Sequence, residues 1–332
     1  MIDLSTNYLG LRLTNPIIAG ASPMTNSVDS AKRLEDAGAG AIVMPSLFEE
    51  QIDAEALATT AALETHMDSF GEAVSFMPEP EEYRIGPDDY LDRLRQIKEA
   101  LDVPVIASLN GSTRGGWLSY AKSLEQAGAD ALELNVYYVP TDGDESGEQI
   151  EQHIREMVSE VRRGIAIPIA VKLSPFYTSL TNFALQLQGA GAGGLVLFNR
   201  FFEPDIDIEE LDTISELRLS EPVELLLRLR WVAILFGQVD CSLSVTGGVH
   251  SAADVIKSIM CGADTVQMVS ELLRRGHDRI AQVLDECAAW AEEHEYESLE
   301  QMRGSMSMQR CPDPSAFERG NYIHILQTWG RS

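Results

Sequence analysis

Four times in this chain a helix-like segment ends in nearly the same phrase. Ala37-Gly-Ala-Gly-Ala-Ile-Val-Met-Pro45 is echoed by Ala127-Gly-Ala-Asp-Ala-Leu-Glu-Leu-Asn135, by Ala190-Gly-Ala-Gly-Gly-Leu-Val-Leu-Phe-Asn199 and by Cys261-Gly-Ala-Asp-Thr-Val-Gln-Met-Val269. In each copy the glycine stands just past the end of a helix, where the backbone turns left-handed, and a strand starts two or three residues later. A joint of this kind, repeated along one chain, points to βα units.

The other strands complete the count. They are read at 15–21, 41–45, 103–109, 131–135, 167–173, 194–199, 241–246 and 265–268. Most are continuous apolar runs, as expected of parallel strands covered on both faces. Helical segments alternate with them at 27–37, 88–100, 117–127, 147–164, 180–189, 222–236 and 252–261. Eight strands alternating with helices predict an α/β fold of the (β/α)8 TIM-barrel type. A doubly wound sheet is the alternative, but no GxGxxG follows the first strand. The 332 residues suffice for one such domain, 1–332, with 290–332 expected as a terminal helix and tail packed on the barrel.

Three long excursions interrupt the rhythm, at 46–87, 136–147 and 200–221, after the second, fourth and sixth strands. All three leave C-terminal strand ends, the face on which barrel enzymes work, so they are expected to be lids or substrate walls.

The last two strands carry the clearest binding signal. Ser244-Val-Thr-Gly-Gly-Val-His250 and Thr265-Val-Gln-Met-Val-Ser270 each run from a strand into a helix. Adjacent turns of this kind present free backbone N–H groups to an anion, and Gly247 and Gly248 let it approach without a Cβ in the way. At the last two strand ends of a barrel this predicts a phosphate. Lys172 is the second signal, because it interrupts the apolar strand Ile-Ala-Val-Lys-Leu near the barrel mouth. A lysine so placed is either used or reaches out to solvent. Asn110, Asn135 and Asn199 each stand at a strand end, where their amides could read a planar polar group. A phosphate clamp, a lysine and three amides around one mouth fit FMN. They also fit a Schiff-base aldolase with Lys172 as nucleophile.

Charge narrows the partners. A formal net charge of −27 argues against nucleic acid and anionic membrane. The four cysteines are scattered without a CxxC, which excludes an iron–sulfur or zinc site of clustered cysteines within the chain and suits a reducing cytoplasm. Neither a signal pattern nor an apolar run of membrane-spanning length is seen.

The sequence resembles the dihydroorotate dehydrogenase family of FMN-dependent barrel oxidoreductases. The resemblance runs over most of the chain, through Leu13-Thr-Asn-Pro-Ile-Ile-Ala-Gly-Ala-Ser22, Glu133-Leu-Asn135, Val171-Lys-Leu-Ser-Pro175, Thr246-Gly-Gly-Val249 and Cys261-Gly-Ala-Asp-Thr-Val-Gln267. It implies that Ala21 and Ser22 lie beside the flavin and that Ser46 and Asn110 approach its ring. Asn135 and Lys172 would meet its polar edge, Asn199 the substrate–flavin interface, and Gly247, Gly248, Val269 and Ser270 its phosphate. The resemblance also implies a homodimer, and with no dinucleotide fingerprint any wiring to NAD would come from a separate electron-transfer partner.

Departures from the family pattern cluster on the substrate side. The loop after the fourth strand normally reads Asn-x-x-Cys/Ser-Pro-Asn, and here it reads Asn135-Val-Tyr-Tyr-Val-Pro140, so Tyr138 stands where the family has its base. The Asn-rich substrate loop is not recognisable in 67–87, and the lysine usual after the second strand is replaced within Met44-Pro45-Ser46. The glycine-rich turn before the sixth helix is replaced at 217–222. The flavin half thus looks kept and the orotate half rebuilt. A phenol serves better as a proton donor than as a base at neutral pH. Tyr138 is therefore expected either to donate a proton during reduction of an activated C=C bond or, with Tyr137, to wall the pocket. The expected activity is that of a CH–CH oxidoreductase on dihydroorotate or a related small molecule. A flavin-binding subunit without turnover is the remaining alternative.

Overall fold

The computed structural model describes residues 2–48, 86–110 and 116–328. Two three-residue strands, β1 (Thr6–Tyr8) and β2 (Leu11–Leu13), pair as an antiparallel hairpin. They are followed by β3 (Ile17–Ala19), β4 (Ala41–Phe48), β5 (Val105–Asn110), β6 (Ala131–Asn135), β7 (Ile169–Leu173) and β8 (Gly194–Leu197). A second hairpin, β9 (Asp205–Asp207) and β10 (Asp212–Ile214), precedes β11 (Ser242–Thr246) and β12 (Thr265–Met268). The strands β3 to β8 with β11 and β12 form a closed barrel in chain order, and every pair in it is parallel. This is the (β/α)8 fold, and all eight expected strands are in it.

The repeated joints behave as their glycines require. The backbone is left-handed at Gly38, Gly128, Gly191 and Gly262, with φ of +99°, +98°, +106° and +120°. A side chain there would strain each helix-to-strand turn. Helix formation follows local signals as well. The helix Gly147–Gly164 starts at Ser146, whose hydroxyl accepts from Gln149 N–H while the Gln149 side chain returns to the Ser146 backbone. Its buried residues, Ile154, Met157, Val158 and Val161, share one face.

Strand alternation divides the apolar interior into two cores. Outward side chains such as Ile42, Leu132, Val171 and Leu195 pack in one large cluster with the helices. Inward side chains such as Ile18, Val43, Ile106, Ala131 and Val196 form a smaller cluster with Tyr8, Leu9 and Leu13. The β1–β2 hairpin therefore plugs the floor of the barrel. Leu9 N–H donates to Ser242 Oγ at 3.0 Å, and a Cβ on Gly194 would come within 2.7 Å of Leu9 Cδ2.

One irregularity sets the mouth. Val43 pairs with Ile106 but Ser46 pairs with Ser108, so β4 carries one extra residue between them. This bulge turns Ser46 inward. The Tyr90 hydroxyl, from the helix Pro87–Ala100, donates to Pro45 O at 2.9 Å and satisfies the bulged strand.

The expected excursion after the second strand falls, from 49 to 85, outside the described residues. Residues 304–308 follow helix backbone closely, with Gly304 N–H donating to Ile259 O, Met306 N–H to Met260 O and Met308 N–H to Ala233 O. Among the described residues no helix is long and apolar enough to cross a membrane.

Candidate functional site

The barrel interior changes character from floor to mouth. Ile106, Ala131 and Ala170 are inward and apolar. Two positions on, the inward residues are Ser108, Glu133 and Lys172, and one further step on β5 and β6 brings Asn110 and Asn135. Gln267 takes the equivalent place on β12, after inward Thr265. Period-two alternation thus carries one polar side chain from each of several strands into a single chamber.

Within that chamber Glu133 is the hub. It is 1% exposed, and both of its oxygens are engaged. Lys172 Nζ lies 3.3 Å from Oε1, and Gln267 Nε2 donates to Oε2 at 2.6 Å. A buried carboxylate needs both partners, because an unpaired charge inside a barrel costs several kcal/mol. Beside it, Ser46 Oγ and Ser108 Oγ are 2.7 Å apart, and Asn135 Nδ2 donates to Ser46 Oγ at 3.3 Å. Two buried acceptors are left over: Asn135 Oδ1 and Gln267 Oε1 have no hydrogen-bond partner among the described residues. Buried acceptors of this kind are usually satisfied by a bound group or water. Gly20 packs tightly against this strand end: a Cβ there would lie 2.7 Å from Val269 Cγ2 and 3.3 Å from Gln267 Cβ.

The Gly-Gly turn lies past the end of β11. Gly247 and Gly248 both have positive φ, at +92° and +83°. Gly248 N–H donates to Ser220 Oγ at 3.3 Å, and that hydroxyl donates to Ser270 Oγ at 2.8 Å. Ser220 N–H reaches the same Ser270 oxygen at 2.9 Å. Both serines are buried, so a chain of hydroxyls ties the Gly-Gly turn to the start of the helix after β12. Arg228 lies alongside, 6% exposed, with Nε donating to Thr246 O at 3.0 Å and Nη1 to Glu224 O at 2.8 Å. Burial pulls its pKa below the usual arginine value, Glu224 pulls the other way, and the nearby Arg200 adds to the lowering.

The remaining expected residues take various positions. Asn199 is buried and spans two strand ends, donating through Nδ2 to Val136 O at 2.8 Å and to Lys172 O at 3.3 Å. Ala21 packs against the inner core. Ser22 opens the short turn Pro23–Thr25, and its N–H donates to Thr25 Oγ1. Val269, half-buried, joins β12 to the helix Ser270–Arg275. Tyr138 is exposed, and its hydroxyl donates to Glu145 Oε2 at 2.5 Å. That hydrogen bond raises the phenol pKa, so the group stays protonated. Tyr137 stacks on Phe201 with ring centroids 4.6 Å apart, and Phe176 meets Phe201 edge-on at 5.3 Å. The loops after β6, β7 and β8 thus meet in an aromatic wall.

Glu133, Gln267, Ser108, Ser220 and Arg228 are the site residues that sequence reasoning did not single out. Glu133 had the same signal as Lys172, a charge inside an apolar strand. Arg228 had none, since it reads as one of several arginines on a helix.

A family model described as dihydroorotate dehydrogenase matches residues 3–290. Dihydroorotate dehydrogenase B (NAD(+)), catalytic subunit, of Methanocaldococcus jannaschii is 27% identical, over 91% of this chain and 97% of the relative. The protein of the same description from Methanocella arvoryzae is 30% identical, over 81% and 87%. NAD-dependent dihydropyrimidine dehydrogenase subunit PreA of Escherichia coli is 22% identical, over 91% and 76%.

Proposed function

The chain belongs to the dihydroorotate dehydrogenase family, and from that premise we propose that it is an FMN-dependent oxidoreductase acting on a carbon–carbon bond of a small molecule. The observation that carries the reading is the pair of buried, unpartnered acceptors, Asn135 Oδ1 and Gln267 Oε1, beside Lys172 in the barrel, with the Gly247–Gly248 turn following the strand next to that of Gln267. A flavin ring offers an N–H for such acceptors and carbonyl oxygens for the lysine, and the turn suits its phosphate. The residues therefore fit the group.

When bound, FMN supplies hydride exchange with the substrate. Lys172, Asn135 and Gln267 bind and orient its polar edge. Ser46, Ser108 and Asn110 would hold the neighbouring wall, with Ala21 and Ser22 flanking it. Asn199 fixes strand ends at the interface between substrate and flavin. Gly247, Gly248, Val269 and Ser270 would hold the phosphate. Glu133 fixes the Lys172 ammonium in place and is a positioning residue. Tyr138 holds a proton at its hydroxyl, with Glu145 as the group through which that proton is exchanged with solvent.

The substrate is dihydroorotate or a related small molecule. The Tyr137–Phe201–Phe176 wall supports a planar one, because aromatic faces stack on planar rings. The names of relatives contain "catalytic subunit" and "subunit", which supports a separate electron-transfer partner. Residues 1–332 are read as one working unit, a homodimer in the cytoplasm. Four free cysteines, three of them buried, support a reducing compartment.

The test is the visible spectrum of the purified protein, followed by dihydroorotate without oxygen. Flavin bands that bleach support the full reading, and bands that persist assign a different substrate. A colourless protein that fails to bind added FMN overturns the reading and favours Schiff-base chemistry at Lys172, which borohydride trapping would then reveal.

A further inference from the structure

In a chain of net charge −27, one place beside the Gly-Gly turn holds surplus positive charge. Glu224 lies between two guanidinium groups, 3.7 Å from Arg200 Nε and 4.0 Å from Arg228 Nη2. Among the described residues it is the one carboxylate within ion-pair distance of either. One negative charge is shared by two cations, and the second distance is too long for a hydrogen bond.

The two arginines are not equivalent. Arg200 is partly exposed, with its guanidinium 5.5 Å from the centroid of the Phe202 ring. Arg228 is 6% exposed, and two of its nitrogens are spent on backbone carbonyls. The third, Nη2, lies 2.9 Å from where a Cβ on Gly247 would stand. A buried cation with an unspent N–H₂ thus touches the backbone of the turn on which Ser220, Ser270 and Gly248 N–H converge. Burying a guanidinium with incomplete pairing is costly, and a dianion at that turn would complete it with charge-assisted hydrogen bonds.

We propose that Arg228, backed by Arg200, is the counter-ion of a phosphate dianion at the Gly247–Gly248 turn and makes the site select a phosphorylated ligand over its unphosphorylated form. The proposal names a specificity-determining residue, and it rests on the flavin reading only in its choice of probe. Glu224 sets the strength of the effect, since it competes with the phosphate for both arginines.

The experiment compares FMN with riboflavin, which lacks the phosphate. Dissociation constants for both are measured by fluorescence on the flavin-free full chain, as wild type, Arg228→Met, Arg228→Lys and Arg200→Met. The preference for FMN should fall at least about tenfold in Arg228→Met, with riboflavin affinity unchanged. Lysine should restore part of it, and added salt should narrow the wild-type preference. Equal losses for both flavins would mean that Arg228 only supports the turn, and an unchanged preference would mean that it is idle; either overturns the proposal. If Arg228→Met does not fold, Arg200→Met decides, since it leaves Glu224 to Arg228 alone and should also narrow the preference. If wild type binds neither flavin, the flavin reading fails by itself, and titration with inorganic phosphate takes over. Phosphate bound by wild type and lost in the variants sustains the counter-ion role, and no binding to wild type ends it.

Discussion

Lys172 Nζ stands 3.3 Å from Glu133 Oε1 in the middle of the barrel, on neighbouring strands, with the carboxylate 1% exposed. The pair is closed on its far side by Gln267. Removing one member leaves the other charged and buried. Glu133→Leu should therefore destabilise the protein by about 3 kcal/mol or more, while the double variant Glu133→Leu/Lys172→Met recovers much of the loss. Urea unfolding of the two variants checks this, and additive losses would show that the residues do not interact.

Asp264 gives the pH dependence. Burial pushes its carboxyl from 3.8 up to about 6, against the downward pull of Arg303 and of the Leu243 N–H. The native state thus holds this proton more tightly than the unfolded chain. Its contribution to stability is full below the unfolded value and is lost as pH rises through about 6, a change on the order of 3 kcal/mol. Other carboxylates move the total in their own ways, so the difference between wild type and Asp264→Asn is the quantity to read. That difference should change steadily between about pH 4 and 6 and be flat above; a pH-independent difference would refute the assignment.

Gly248 carries φ of +83°, and a Cβ there would meet Leu225 N at 2.5 Å. Gly248→Ala combines an unfavourable backbone region with a clash against main chain that has no rotamer to yield. It should cost at least about 2 kcal/mol and weaken FMN more than riboflavin. Thermal unfolding and flavin titration measure the two effects separately.

Tyr138→Phe removes one hydroxyl, hydrogen-bonded to Glu145 at the surface. The unfolding midpoint should not move. If the phenol donates the proton, turnover should fall by about 100-fold or more with little change in flavin affinity. Full turnover in this variant would leave Tyr138 as a wall residue.

The barrel was legible because parallel strands, buried on both faces, write continuous apolar runs, and because four glycines punctuate them. The two hairpins were not legible. Thr6–Tyr8 and Leu11–Leu13 are too short for a period to declare itself, and their apolar residues look like any loop until the barrel floor is seen above them. The same limit hid β9 and β10, whose apolar residues are largely exposed. Within the site, Lys172 and Asn135 were found because a polar residue in an apolar strand is conspicuous. Gln267 follows the same pattern but is uncharged, and Ser108 is small enough to pass for core. Arg228 could not be found at all, since its role depends on a helix passing behind a turn that lies 19 positions further along the chain.

The extra residue in β4 works as a phase slip in a periodic signal. Below it the strand keeps step with the floor through Val43 and Ile106, and above it with the mouth through Ser46 and Ser108. The two ends of one strand are thereby uncoupled. Removing a single residue at 44 or 45 would heal the slip: Val43 and Ser46 would then stand two places apart, as Ile106 and Ser108 do, and both would still face inward, with Leu47 still against the helices. The slip therefore lets an eight-residue strand accommodate Pro45, whose carbonyl Tyr90 holds, without turning Leu47 into the chamber.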